Sequence, residues 1–170
     1  SLPEAMAELL ELQQLAQLAL AGPDVLSQLD THPVAIFSGH AVEDGRRPER
    51  SYFACDACVP SQRVEARQLI GAPFKTLRLT VLAACSTASR ASPGPAVALN
   101  LARPFVARGS AVVATLAPIP DAVAARFNVL FLRQLQETRH PALAFDRAIA
   151  RLRELDDSVR PYWASFAFTT

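Results

Sequence analysis

Between Leu77 and Ala84 the chain reads LRLTVLAA, and between Ala111 and Leu116 it reads AVVATL. Such runs crowd Leu, Val and Thr together, are too short for a helix, and suit strands buried in a core. A third, Val34 to Phe37, enters Ser38-Gly39-His40, where a glycine after so short an apolar run predicts a strand that ends in a loop and leaves His40 at its carboxyl end.

Between these runs the apolar period changes to that of helices. Leu9, Leu10, Leu12, Leu15 and Leu18 predict an amphipathic helix over residues 4–20, stopped at Ala21-Gly22-Pro23. Further helices are expected at about 61–70, from Ala96 to Ala107 with a stop at Gly109, from Asp121 to about Gln136, and from Pro141 to Glu154. In the Pro118-Ile119-Pro120-Asp121 break, Asp121 is placed to cap the third of these, and Pro141 fits the first turn of the fourth. Tyr52 to Cys55 reads as a short strand after a polar loop over 41–50, and Trp163 to Phe168 as a last one whose aromatic residues pack the sheet. Ala91 to Pro95 is a Pro/Gly-rich surface loop. Strands alternating with helices predict an α/β fold with a mostly parallel central sheet flanked by helices. Sites in such sheets form beyond the carboxyl ends of the strands, where His40 and Cys85 both fall and which Asp121 follows.

Composition removes several function classes. The 170 residues are 51% hydrophobic, enough for one domain with its own core, and the formal net charge is +1 with no long run of one sign, so neither nucleic acid nor an anionic membrane surface is an expected partner. No apolar stretch of about 18 residues and no signal peptide are readable. An odd count of 3 cysteines in a chain with an adequate core favours free thiols in a reducing compartment, the cytoplasm. Cys55-Asp56-Ala57-Cys58 has the spacing of half a zinc or redox site, but no second cysteine pair completes it, and His32 and His140 read as surface residues. No metal or redox site is therefore expected there.

Taken alone, a cysteine at a strand end is more often a small buried hydrophobe than a nucleophile. Against that reading, Cys85 is followed by the polar Ser86, Thr87 and Ser89, and a strand-end histidine lies 45 residues upstream. A thiolate is the reactive form of cysteine, and a nearby imidazole both favours it and returns a proton to a leaving amine.

Five stretches, AIFSGH (35–40), VLAACSTAS (81–89), LARPFVARGSAVVATLAPIPD (101–121), ALAFDRAIARLRE (142–154) and YWASFAFT (162–169), together resemble the CHAT domain of caspase-like cysteine proteases. Each block is weak, but all five stand in the family's order. The resemblance implies a caspase-like fold over residues 1–170 and hydrolysis of a protein or peptide substrate without metal or cofactor. It makes Cys85 the nucleophile, His40 the general acid/base, and the backbone N–H groups of Ala41 and Cys85 an oxyanion hole. It also matches Asp121 to an Asp of the family and Ser51 to a serine that shapes the cleft; because Asp121 follows a third strand end, it is expected to wall a substrate pocket, where a carboxylate would favour Arg or Lys, although a helix cap and a turn hydrogen bond explain those two residues equally well. A caspase-type sheet opens with a strand, whereas this chain begins in a helix, so the expectation is a fragment that lacks its first strand, with regulatory regions or partner subunits outside it. Ala41 replaces the family's usual Gly and Ala117 its Trp. Those differences leave open a second reading, a caspase-fold scaffold that acts by protein binding.

Overall fold

The computed structural model describes residues 11, 25–37, 39–42, 44, 46–55, 62–82, 84–85, 96–155 and 157–170, with the backbone alone for 39, 40, 55, 62, 84, 85 and 96–100. The helix expected over 4–20 and the loop at 91–95 lie outside these residues, Glu11 apart.

In chain order the elements are α1 (Val25–Leu29), β1 (Val34–Ile36), β2 (Gly39–Val42), β3 (Tyr52–Cys55), β4 (Gln62–Glu65), α2 (Ala66–Gly71), β5 (Leu79–Leu82), β6 (Ala84–Cys85), α3 (Ala96–Val106), β7 (Ala111–Thr115), α4 (Asp121–Thr138), α5 (Pro141–Arg153) and β8 (Phe166–Thr169). Hydrogen bonding joins them in two four-stranded groups, β1-β5-β7-β8 and β4-β3-β2-β6. The chain path unites the groups, because β2 follows β1 and β6 follows β5. Val34 pairs with Leu79 and His40 with Cys85, the same offset of 45 at both ends, so the two strand paths run side by side in one parallel register. β5 and β7 are also parallel, while β3 and β8 are antiparallel to their neighbours. This is an α/β fold with a mostly parallel central sheet.

Helices cover both faces, and strand alternation sorts the core between them. Ala35, Phe37, Ala41, Leu82, Val112 and Ala114 pack with α2 and α3 through Leu69, Leu101 and Phe105. Val34, Ile36, Leu79, Val81, Ala111 and Val113 pack with α4 and α5 through Phe127, Phe131, Ala144 and Ala148. Because both faces are buried, β5 and β7 carry nearly continuous apolar residues instead of an alternating pattern. Stacked rings bind each layer: Phe37 on Phe53 at 4.6 Å on one face, Phe127 on Phe166 at 4.0 Å on the other.

Local chemistry explains where elements start and stop. Gly109 takes φ +78 after α3, the left-handed turn a glycine adopts without strain. The Arg108 guanidinium donates to the carbonyls of Leu69, Ile70 and Ala72 at the end of α2 and lies 5.2 Å from the Phe74 ring centre. It ties α2 to the turn after α3 and complements the negative end of the α2 dipole.

Three sequence expectations are corrected. Residues 62–65 form β4, and the helix begins only at Ala66, because Gln62 to Glu65 pair with Tyr52 to Cys55 across an antiparallel ladder. Residues 160–165 form a 3-10 turn, so the last strand starts at Phe166 instead of Trp163. Trp163 is exposed rather than packed on the sheet, and the Arg153 guanidinium stacks on it at 4.6 Å.

Candidate active site

β2 departs from the sequence reading in a way that matters for the site. Instead of ending at Phe37, the strand path resumes at Gly39 and continues to Val42, because Ala41 and Val42 find antiparallel partners in Phe53 and Tyr52. His40 is thus inside a strand and not at its carboxyl end. The parallel ladder to β6 does end there, with His40 opposite Cys85. Neighbouring strands lie about 4.8 Å apart, so the two backbone positions stand side by side.

The hydrogen-bond direction follows from one observed bond. Phe37 N–H donates to the Val81 carbonyl at 2.8 Å, and alternate residues of a strand present their N–H groups to the same neighbour. Residues 39 and 41 therefore face β6, while 40 and 42 face β3. In the observed register the N–H of Ala41 meets the carbonyl of Cys85, and the N–H of Cys85 meets the carbonyl of Gly39. Both N–H groups lie in the same gap between β2 and β6.

Face assignment follows as directly. Ala41 is 6% exposed and belongs to the core under α2 and α3, together with Phe37 and Phe53. The alternation that places residues 35, 37 and 41 on that face assigns position 40 to the opposite one, covered by α4 and α5, and its in-register neighbour 85 shares it. α4 lies against β6, consistent with that assignment.

Asp121 is the first residue of α4, and the position before the helix is filled by Pro120, whose carbonyl accepts from the N–H groups of Val123 and Ala124. The expected cap is therefore corrected by one residue: Asp121 sits in the first turn, half-buried, where its charge favours the positive end of the helix dipole. α4 returns antiparallel to β7, so its first turn stands at the carboxyl edge of the sheet, as Cys85 does. Ser51 is fully buried; its hydroxyl accepts from the Asp44 N–H at 3.2 Å and its carbonyl accepts from the Ala66 N–H at 2.8 Å. The serine anchors the β2–β3 connection to the start of α2, which is the turn hydrogen bond that its sequence context allowed. Ala117 is exposed between β7 and α4.

Cys55 ends β3, while Cys58 lies outside the described residues. Among the described residues no three of His, Cys, Asp and Glu are grouped to hold a metal ion, and no helix is long and apolar enough to cross a membrane. His32 is exposed, its Nδ1 within hydrogen-bonding distance of the Gln28 carbonyl, and His140 is exposed, its Nδ1 accepting from the Leu143 N–H at the start of α5.

The model of the CHAT domain family matches residues 3–169. The chain belongs to the CHAT domain family. CHAT domains are related to caspases, so this one has the fold and the general function of a caspase-like, protease-related domain. No curated protein matches the sequence. One residue of this CHAT domain that sequence reasoning missed is Asn128, in the middle of α4 and fully buried. Its signal was available: FNVLFL places one amide in an otherwise apolar stretch of helix.

Proposed function

We propose that this CHAT domain is a cysteine endopeptidase in which Cys85 is the nucleophile and His40 the general acid/base. The observation that supports it is the register of His40 opposite Cys85 at the end of a parallel ladder. The thiolate attacks the scissile carbonyl, the His40 imidazolium gives its proton to the leaving amine, and His40 then takes a proton from the water that hydrolyses the thioester.

The N–H groups of Ala41 and Cys85 form the oxyanion hole. Their common gap supports the assignment, since two donors must converge on one oxygen. In the resting chain those donors meet the carbonyls of Cys85 and Gly39, so the last rung opens when a substrate carbonyl enters. Asp121 contributes a negative wall to the pocket and favours Arg or Lys before the cleaved bond; its place in the first turn of α4, at the carboxyl edge of the sheet, supports this role. Ser51 acts on the cleft indirectly, by holding the β2–β3 connection in shape. The substrate is a protein partner, and regulatory regions or subunits outside these residues control access to it.

The test is a peptide electrophile with Arg at its reactive end, applied to the intact chain and to Cys85→Ala. Labelling at Cys85, lost in the variant and accompanied by cleavage of Arg-containing peptides, is the expected result. If the assembled wild-type protein never labels at Cys85 and cleaves nothing in a peptide pool, the protease reading is wrong. A second reading, a caspase-fold scaffold acting by protein binding, is favoured by the closed rung, because a hole whose donors stay paired supports no turnover. Partner binding that survives in Cys85→Ala, without any labelling of wild type, would establish it.

A further inference from the structure

α4 carries an expensive residue. Asn128 is fully buried between Phe127 and Val129, in a helix whose buried residues are otherwise apolar. Asparagine is a poorer helix former than alanine, and a buried amide must find hydrogen-bond partners or weaken the fold. A leucine of similar size would meet neither cost.

Its location relative to the two strand paths is set by its neighbours. Val129 and Leu132 pack with Ile36 on β1. α4 runs opposite to β1 and β2, so one helical turn from Leu132 back to Asn128, about 6 Å, corresponds to about two residues forward along the strand. Asn128 therefore stands beside the segment between Ile36 and His40. The other side of the helix agrees: Phe127 stacks on Phe166, which pairs with Thr115, one residue beyond the Ala114 that pairs with Leu82. The amide lies on the same face as positions 40 and 85, one step below them.

We propose that Asn128 is the positioning residue of the Cys85–His40 pair: its carboxamide holds the strand segment that presents the His40 imidazole to the thiol. The proposal rests on the reading of Cys85 and His40 given above. A nucleophile and its base work as a unit when a third group orients the base. A carboxamide does so without the added charge of a carboxylate, which would favour the protonated imidazole and move its titration upward.

The experiment is the rate of Cys85 alkylation by iodoacetamide against pH, resolved by mass spectrometry, on the intact chain and on Asn128→Leu, Asn128→Asp and Asn128→Ser. Wild type should alkylate with a midpoint well below the ~8.5 of a free thiol. Asn128→Leu should alkylate about tenfold more slowly at neutral pH and return the midpoint toward the free-thiol value. Asn128→Asp should move the imidazole limb upward by about one and a half units, the size expected of a carboxylate roughly 8 Å away at an effective dielectric constant near 20. On a cleaved peptide, the Leu variant should lower kcat and leave KM within about twofold, because substrate binding is not what it alters. If Asn128→Leu does not fold, the Asp and Ser variants decide by the same midpoint. A wild type with a shifted midpoint and variants that keep it would make Asn128 a structural residue only. A wild-type Cys85 with an ordinary thiol profile would overturn this proposal together with the protease reading.

Discussion

Ala41→Gly restores the residue that the family blocks carry after the histidine, and the structure sets what it should do. The Ala41 methyl is buried at 6% exposure in the core under α2 and α3, near Phe37 and Phe53, on the face away from positions 40 and 85. Removing it forfeits one buried methyl, about 0.8 kcal/mol, and adds the backbone entropy of a glycine in a strand, about 0.5–1 kcal/mol. The loss should total about 1.5 kcal/mol, which for a chain of this size lowers Tm by about 5 °C. The N–H that faces β6 is untouched. Alkylation of Cys85 should accordingly stay within about threefold of wild type, since the variant alters neither donor nor charge in the gap. Urea unfolding of both proteins, with labelling by the Arg-ended electrophile at a concentration of urea well below either midpoint, measures the two effects separately. A variant that labels tenfold faster at unchanged stability would refute the face assignment, because it would show the methyl crowding the carbonyl and not filling the core.

Arg108→Ala should destabilise the fold by about 1–2 kcal/mol: it removes the donor to three carbonyls and the contact with Phe74, discounted for the exposure of the guanidinium. Arg108→Lys should recover less than half of that in a denaturant titration, since one ammonium cannot serve the fork of acceptors that a planar guanidinium does. Asp121→Ala should reduce cleavage after Arg by about tenfold or more relative to cleavage after Leu, at a stability cost below about 1 kcal/mol from the lost dipole interaction. Equal Arg to Leu ratios in variant and wild type would remove Asp121 from the pocket.

Local pattern made much of this molecule legible, and the reasons for its failures are physical. β7, α3 and α5 are bounded by signals read within a few residues: an apolar run, the left-handed glycine at 109, the proline at 141. The misread elements are those whose conformation is decided by a distant partner. Gln62 to Glu65 are polar and helix-compatible, yet they are strand because β3 offers them a ladder. By local pattern His40 ends a strand, because glycine follows a short apolar run, yet β3 draws the path on to Val42.

The candidate site divides along the same line. By itself the sequence determined that His40 and Cys85 each follow an apolar run, that 45 residues separate them, and that five blocks stand in the order of the CHAT family. Only the tertiary structure decided that the same 45 is the register offset of the paired strands, that Ala41 belongs to the core under α2 and α3, and that an amide is fully buried in the middle of α4. Periodicity is a property of neighbours along the chain and survives in a string of letters. Register and depth arise when two faces of one sheet are packed by different helices, and they exist only once those helices are in place.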